Sequence, residues 1–174
     1  KTEIIIQNNS LISENYAAVY GGGADLYLST VTIADSTVTD NGAGYQGAGI
    51  HSDGSEVNIE RSTISENDVT ALIFGAFGGG IFNYRGYDVA TSTNVPGQMT
   101  IIDSTISGNS AALGGGIANI NGSRVKVYNS TIEGNSAVYA GGFINLEGTW
   151  AIVNSTLSGN VAADPGPGVY GIGG

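Results

Sequence analysis

The only histidine of the chain, His51, stands two positions before Asp53, and Glu56 follows closely. An imidazole beside a carboxylate is a common general acid–base pair, so catalysis is first sought in this segment. Such a pair also needs a cleft and a group that orients it, and the sequence indicates neither. We therefore interpret His51 as an exposed turn residue, predict that the chain is not an enzyme and assign no catalytic residue.

Three carboxylates could form a second chemical site. Glu14, Asp40 and Glu66 each precede the asparagine of a recurring motif, apolar-x-x-Asn. If the repeats stack, these side chains form a column of like charges about 4.8 Å apart, which can recruit calcium. Water relieves the same repulsion, so we expect no cofactor, with calcium as the alternative. The position becomes glycine in the later repeats, at Gly108, Gly134 and Gly159.

Hydroxyl groups recur beside the same motif. A flat face of threonine and serine on a solenoid can bind ice, but only Thr37 and Thr39 make a full Thr-x-Thr pair, and Glu133 interrupts the array. Ice binding is therefore a minor alternative. Arg61 stands where another repeat has Asp35, which indicates pairing between neighbouring repeats. The column of threonines comprises Thr37, Thr63, Thr105, Thr131 and Thr156.

The overall charge excludes one class of partner. The chain has 15 acidic and 5 basic side chains, a net charge of −10, and no cysteine. Nucleic-acid binding needs clustered Lys and Arg, so we expect no nucleic-acid partner. We also expect no membrane insertion, because no apolar stretch is long enough to span a bilayer as a helix. We attribute the Asn-x-Ser/Thr glycosylation sequons to chance, and the sequence does not decide whether they are glycosylated. They begin at Asn8, Asn121, Asn129 and Asn154.

The elements that position these residues are repeats. The motif apolar-x-x-Asn occurs six times, and its asparagines are 26, 26, 42, 26 and 25 residues apart. Each repeat has three apolar segments divided by turn residues, and the first alternates as a half-buried strand does. We expect each asparagine to sit at a bend, with left-handed backbone angles, and its amide to bond the repeats above and below. These asparagines form the predicted structural ladder: Asn15, Asn41, Asn67, Asn109, Asn135 and Asn160.

Such a pattern predicts an all-β fold, a right-handed parallel β-helix of about six rungs with three short strands each. We predict one domain, 1–174, with rungs at about 2–29, 30–55, 56–98, 99–123, 124–149 and 150–174. No capping helix or polar terminal rung is evident. Because uncapped terminal rungs expose hydrogen-bonding edges and apolar core, we interpret the chain as a slice of a longer solenoid or as a subunit that stacks end to end, and Lys1 as first residue permits either.

The 42-residue interval breaks the repeat. Comparison with the other rungs places its additional residues in two loops, 68–78 and 84–98. Insertions in repeat proteins commonly form a binding face. The alternative is a loop that packs on itself and covers the solenoid. The candidate partner-binding residues are the aromatic side chains Phe74, Phe77, Tyr84 and Tyr87.

Paired glycine-rich and Asn-ending motifs resemble those of the polymorphic outer-membrane proteins of chlamydiae and related bacterial surface β-helix repeat proteins. The Asn-ending motif maps onto the six ladder asparagines over essentially the whole chain. The resemblance implies an extracellular or cell-surface protein, secreted as bacterial surface proteins are, in adhesion or surface architecture. The Gly-rich motif maps onto Gly22-Gly23-Ala24, Gly79-Gly80-Ile81, Gly115-Gly116-Ile117 and Gly141-Gly142-Phe143.

The expected function is therefore that of a non-catalytic structural or adhesive solenoid, stacked head to tail into a filament. Its expected partners are further copies of itself or a surface glycan or protein. The alternative is a carbohydrate-active enzyme, because polysaccharide lyases and hydrolases share the β-helix architecture. The sequence does not name the ligand, the host surface or the organism.

Overall fold

The computed structural model describes residues 2–71, 75–163 and 169–172. Within them the chain is all-β, and its strands stack in parallel into a solenoid of six rungs, which confirms the predicted fold class. No helix of these residues is long and apolar enough to cross a membrane. Each rung contributes one strand to each of four parallel sheets, here named A to D in chain order, rather than to three.

Sheets A and B carry the first two strands of every rung. Sheet A contains β1 (Glu3–Ile6), β5 (Thr30–Ala34), β9 (Glu56–Glu60), β15 (Gln98–Ile102), β19 (Arg124–Tyr128) and β23 (Thr149–Val153). Sheet B contains β2 (Leu11–Ser13), β6 (Thr37–Thr39), β10 (Thr63–Ser65), β16 (Thr105–Ser107), β20 (Thr131–Glu133) and β24 (Thr156–Ser158).

Sheets C and D complete each rung. Sheet C contains β3 (Tyr16–Ala17), β7 (Gly42–Ala43), β11 (Asp68–Val69), β17 (Ser110–Leu113), β21 (Ser136–Tyr139) and β25 (Val161–Ala162). Sheet D contains β4 (Ala24–Tyr27), β8 (Ile50–Asp53), β12 (Ile81–Tyr84), β18 (Ile117–Ile120), β22 (Phe143–Leu146) and β26 (Val169–Ile172). Sheet C is the additional sheet, and four of its strands are only two residues long, too short for an apolar alternation to reveal.

Two apolar clusters run along the solenoid, and sheet D contributes to both. One side of this sheet adds residues such as Ile81 and Ile117 to the main core, which also takes the inward residues of sheets A and B. Alternate residues such as Phe82 and Ala118 join a second cluster with residues of sheet C and the segments beside it. Sheet D is therefore buried on both faces in the middle rungs, where its residues are almost wholly apolar or asparagine.

The corners depend on left-handed backbone angles, but the asparagines do not supply them. At the corner between sheets B and C, the residue before each ladder asparagine has the positive φ, as at Asp40 with 55° and Gly134 with 60°. The expectation that the asparagine itself is left-handed was wrong. Glycine, which meets no steric penalty there, therefore replaces the carboxylates in the later rungs. A second left-handed column between sheets A and B comprises Asn9, Asp35, Arg61, Asp103, Asn129 and Asn154.

The 42-residue interval leaves the four sheets in register. Its second insertion forms an antiparallel hairpin of β13 (Gly86–Asp88) and β14 (Thr93–Val95). Its first insertion returns to the solenoid through Phe77, which bridges to Gln46 on one side and Leu113 on the other. Residues 72–74, including the candidate Phe74, lie outside the described residues. The repeat therefore tolerates the insertions because they begin and end between strands of the rung and interrupt none of them.

Candidate functional site

The six ladder asparagines lie one above another, and we call them the corner ladder. The backbone N–H and Nδ2 of Asn67 both donate to Oδ1 of Asn109, at 3.0 and 2.9 Å. Nδ2 of Asn109 in turn donates to Oδ1 of Asn135 at 2.9 Å and to the carbonyl of Ile64. Each buried amide thus satisfies two donors of the preceding rung and the carbonyl of a residue in that rung's sheet B strand, so the polar groups buried at the bend have partners.

The corner ladder has a direction. In every step the donors belong to the earlier rung and the acceptor Oδ1 to the later rung. Oδ1 of Asn15 therefore begins the ladder without a donor, and the backbone N–H of Asn160 ends it without an acceptor, among the described residues. A serine ladder between sheets A and B has the same direction, because the N–H of Ser104 donates to Oγ of Ser130 at 3.1 Å.

A shorter ladder lies inside sheet D, and we call Asn83, Asn119 and Asn145 the sheet D ladder. Nδ2 of Asn83 donates to Oδ1 of Asn119 at 2.9 Å, and Nδ2 of Asn119 to Oδ1 of Asn145 at 2.7 Å. The next position toward the first rung is Ser52, whose register partner is Asn83. Oγ of Ser52 and Oδ1 of Asn83 are both buried without a hydrogen-bond partner. The sheet D ladder therefore does not extend to rung two, which supplies no donor to Oδ1 of Asn83.

The candidate partner-binding aromatics do not form one exposed surface. The rings of Phe77 and Tyr84 both stack on the buried Phe82, with centroids 5.8 and 5.5 Å away. The hydroxyl of Tyr84 accepts from Nδ2 of Asn121 at 2.7 Å. Only Tyr87 in the hairpin is exposed, and its carbonyl accepts a hydrogen bond from the Tyr27 hydroxyl. Phe77 and Tyr84 thus cover the solenoid, and Tyr87 is the one described member that faces solvent.

His51 is buried, so its interpretation as an exposed turn residue was wrong. It lies within β8, and its side chain is 8% exposed. Its ring is stacked between Tyr20 and Phe82, with centroids 4.9 and 5.3 Å away. Its Nδ1 lies 2.8 Å from Oδ1 of Asp25, the residue one rung earlier at the same register position. The partner of the imidazole is therefore Asp25, not the Asp53 that follows it in sequence.

Asp53 lies beside this pair with a carboxylate that is poorly solvated. Its Oδ1 is buried and has no hydrogen-bond partner. Burial raises the pKa of Asp53, while the charge of His51 lowers that pKa and the charge of Asp25 raises it further. The three side chains form an acid–base cluster on β4 and β8.

The predicted pairing of Arg61 with Asp35 is present at the corner between sheets A and B. The Arg61 guanidinium donates from Nε and Nη2 to the two carboxylate oxygens of Asp35, at 2.8 and 2.9 Å. Its Nη1 also donates to Glu60 at 3.2 Å. Hydrogen bonding to Arg61 lowers the pKa of Asp35 and raises that of the guanidinium. Both side chains are about half exposed, which makes this a surface contact between rungs.

The column of Glu14, Asp40 and Glu66, for which calcium was the alternative, does not form a metal-binding group in the part of the chain that the structure describes. Among the described residues, no group of three or more His, Cys, Asp or Glu side chains could hold a metal ion. The carboxylate of Glu66 instead extends over Gly108 of the next rung, where any Cβ would collide with it. Glycine at that position thus makes room for the preceding carboxylate.

The hydroxyl face of sheet B is regular. Thr37, Thr63 and Thr105 are direct register partners, and the column continues into the last two rungs. Beside it, Ser65 donates to Oγ1 of Thr39, so some hydroxyls bond to one another rather than to solvent. The face is an ordered array of threonine and serine on one sheet.

Asp25 and Tyr20 were missed by the sequence reasoning. Asp25 lies 26 residues before His51, which is the interval of the repeat. An alignment of the rungs on the strands of sheet D therefore places Asp25 next to His51. Tyr20 carries no such signal, because the segment between sheets C and D pairs only through isolated bridges. Comparisons with protein-family models, with curated proteins and with solved structures found no match to this chain.

Proposed function

We propose that this chain is a non-catalytic structural or adhesive β-solenoid, extracellular or at the cell surface, whose copies stack head to tail into a filament. The direction of the corner ladder carries this proposal. One end presents the Oδ1 acceptor of Asn15 and the other the N–H donor of Asn160, so a second copy would continue the ladder. Head-to-tail contacts are heterologous and produce open filaments.

The cores of the terminal rungs support the same arrangement. Ile6 and Ile12 in the first rung, and Ile152 and Leu157 in the last, pack against the main core but stay only partly buried. A stacked copy would remove this apolar surface from water, which stabilises association by about 25 cal/mol per Å². The resemblance to polymorphic outer-membrane proteins supports the surface location, and a surface glycan or protein is the alternative partner.

Electron microscopy and size-exclusion chromatography test the stacking. We expect filaments from the unmodified protein, and none from Ile12→Lys or from Leu157→Lys, because a lysine on a terminal rung reaches water in the free chain but is buried in a stack. An equimolar mixture of the two variants should give a complex of two copies, because each supplies one intact end. Leu11→Lys is the matched control: Leu11 is 63% exposed, so this variant should still form filaments.

Two outcomes would contradict the proposal. If the unmodified protein stays monomeric at high concentration, copies do not stack. If Ile12→Lys forms filaments as well as Leu11→Lys does, association does not use the terminal rungs.

The second candidate is a carbohydrate-active enzyme, and the Asp25–His51 pair with Asp53 beside it favours this alternative. A screen for depolymerisation of glycans, with and without calcium, tests it directly. Activity that is lost in both His51→Ala and Asp25→Asn would replace the structural proposal.

Ice binding is a minor candidate, supported by the in-register threonine column of sheet B. An ice-recrystallisation assay tests it. Inhibition that is lost when Thr63 and Thr105 are replaced by lysine would support this function, and no inhibition by the unmodified protein would exclude it.

A further inference from the structure

The second apolar cluster changes chemistry along the solenoid. At one register position of sheet D, rungs three to five carry Phe82, Ala118 and Ile144, which are all buried in this cluster. Rungs one and two carry Asp25 and His51 at the same position. In rungs two and one, an acid–base pair therefore takes the place of the apolar side chains of this column. Among the described residues, it is the only hydrogen bond between a side chain of β4 and a side chain of β8.

His51 is held in one orientation. Its ring is stacked between Tyr20 and Phe82, and its Nδ1 contacts the Asp25 carboxylate. The charged groups that face it are Asp25 from β4 and Asp53 from β8, and Tyr20 is its other titratable neighbour. The imidazole therefore has one carboxylate partner and two aromatic neighbours, which fix the position of the ring beside Asp53.

Asp53 lies where β4, β8 and the inserted hairpin meet. Its carbonyl accepts from the N–H of Leu28 in the first rung, at 2.9 Å. The backbone of Gly86 packs so closely against Asp53 and Gly54 that a Cβ on Gly86 would have to displace them. The buried Oδ1 of Asp53 has no hydrogen-bond partner, so burial disfavours the charged carboxylate, and proton uptake removes that penalty.

We infer that Asp53, beside the Asp25–His51 pair, is a proton-binding latch that fastens β4 of the first rung to the second rung, and that acid tightens it. Proton uptake at Asp53 removes a buried charge that has no hydrogen-bond partner. The direction follows from linkage: because the pKa of Asp53 is raised on folding, its contribution to stability is present in acid and is lost as the pH rises through that pKa. The latch does not depend on filament formation.

Amide hydrogen exchange across β4 tests the latch. The reporters are the N–H groups of Ala24 and Leu28, which donate to Gly49 and Asp53 of the second rung. After correction for intrinsic exchange, we expect protection to rise by about threefold as the pH falls from neutral to about 4, since a proton that the folded state binds more tightly contributes up to tenfold per pH unit. Asp53→Asn should abolish the rise. His51→Phe, which copies Phe82 in the next rung, should fold and enlarge the rise, and Asp25→Asn should reduce it.

Two controls separate the latch from general acid stability. Protection of β1, in the same rung but on sheet A, should not follow the pH dependence of β4. Asp35→Asn removes a carboxylate from a different contact between rungs and should leave the β4 profile unchanged.

Carboxyl NMR of Asp53 gives an independent readout. Its pKa should rise in His51→Phe and fall in Asp25→Asn, because the first variant removes a neighbouring positive charge and the second a negative one. Equal β4 protection at both pH values in the unmodified protein, or an Asp53 titration that neither variant shifts, would overturn the inference.

Discussion

The corner ladder and the sheet D ladder use the same side chain for the same purpose, but they differ in length. The corner ladder links all six rungs, and it continues across the 42-residue interval from Asn67 to Asn109. Among the described residues the sheet D ladder links Asn83, Asn119 and Asn145, and toward the first rung it stops where rung two has Ser52. A stacked amide therefore depends on the rest of its corner, not only on the repeat interval.

The residue at the end of the sheet D corner explains the difference. A Cβ at Gly148 would collide with the amides of Asn119 and Asn145, and a Cβ at Gly97 with Oδ1 of Asn83. Rung two has Ser55 at the equivalent corner, and its Oγ donates to the carbonyl of Leu26 at 3.1 Å. Where the corner residue comes three positions after the sheet D ladder position, asparagine is accompanied by glycine, as at Asn145 and Gly148. Serine is accompanied by serine, as at Ser52 and Ser55. In rung four, the segment between Asn119 and Arg124 is one residue longer than the corresponding segment of rung five, and it accommodates Ser123 at the corner.

Breaking the corner ladder in its middle should have the largest effect. Asn109→Ala removes the acceptor of two Asn67 donors and two donor contacts of its own. Because each buried unsatisfied group costs about 1–3 kcal/mol, we expect a loss of at least about 3 kcal/mol in the free energy of unfolding. Urea unfolding measures it. Asn15→Ala at the partly exposed end is the control and should cost about 1 kcal/mol; equal losses would show that ladder position does not matter.

Crowding the sheet D ladder should have the next largest effect. Gly148→Ala places a Cβ against the amides of Asn119 and Asn145, and overpacking of this kind costs about 1–3 kcal/mol. In an Asn145→Ser background, which copies rung two, the Asn119 amide can turn away, and the same substitution should cost less. Chemical denaturation of the four proteins in this double-mutant cycle measures the coupling. Additive losses would contradict the explanation from the corner residue.

Extending the sheet D ladder should stabilise the protein. Ser52→Asn with Ser55→Gly gives rung two the same residue pair as Asn145 and Gly148, and it supplies a donor to the unpartnered Oδ1 of Asn83. We expect a gain of about 0.5–1 kcal/mol, because two buried atoms without partners, Oγ of Ser52 and Oδ1 of Asn83, are removed or satisfied, which outweighs the loss of the two hydrogen bonds of Ser55 with Leu26 and Ser29. Thermal unfolding measures it. Ser52→Asn alone is the control and should destabilise the protein, because the Ser55 side chain occupies the corner.

The exposed pair at the corner between sheets A and B should contribute least. Asp35→Asn should lower the unfolding temperature only slightly, because exposed ion pairs are screened by water and salt. The pKa of Asp35 is lowered on folding, so the contribution of the pair is present at neutral pH and is lost as the pH falls through that lowered pKa. The difference between the two proteins should thus vanish in strong acid and shrink in high salt. A difference that persists in strong acid would contradict a charge-based contact.

The repeat interval and the residue types within it were sufficient to predict the solenoid, its six rungs and the positions at which the asparagines stack. In a parallel stack every rung repeats the environment of the rung before it, so the motif that contains Asn67 occurs six times in the sequence. The interval also contains the pairing of Arg61 with Asp35, since both occupy one position of the repeat. Local pattern and repetition carry this information because both are properties of the chain alone.

Only the tertiary structure decided which face of sheet D is covered. His51 was interpreted as exposed because the sequence indicates neither a cleft nor a group that orients it, yet it is buried by Tyr20 and Phe82, from the rungs before and after it. The short strands of sheet C and the hairpin of the insertion were likewise not evident from alternation. These features arise from contacts between separate rungs, and their strength depends on how the connecting segments pack, which no interval in the sequence specifies.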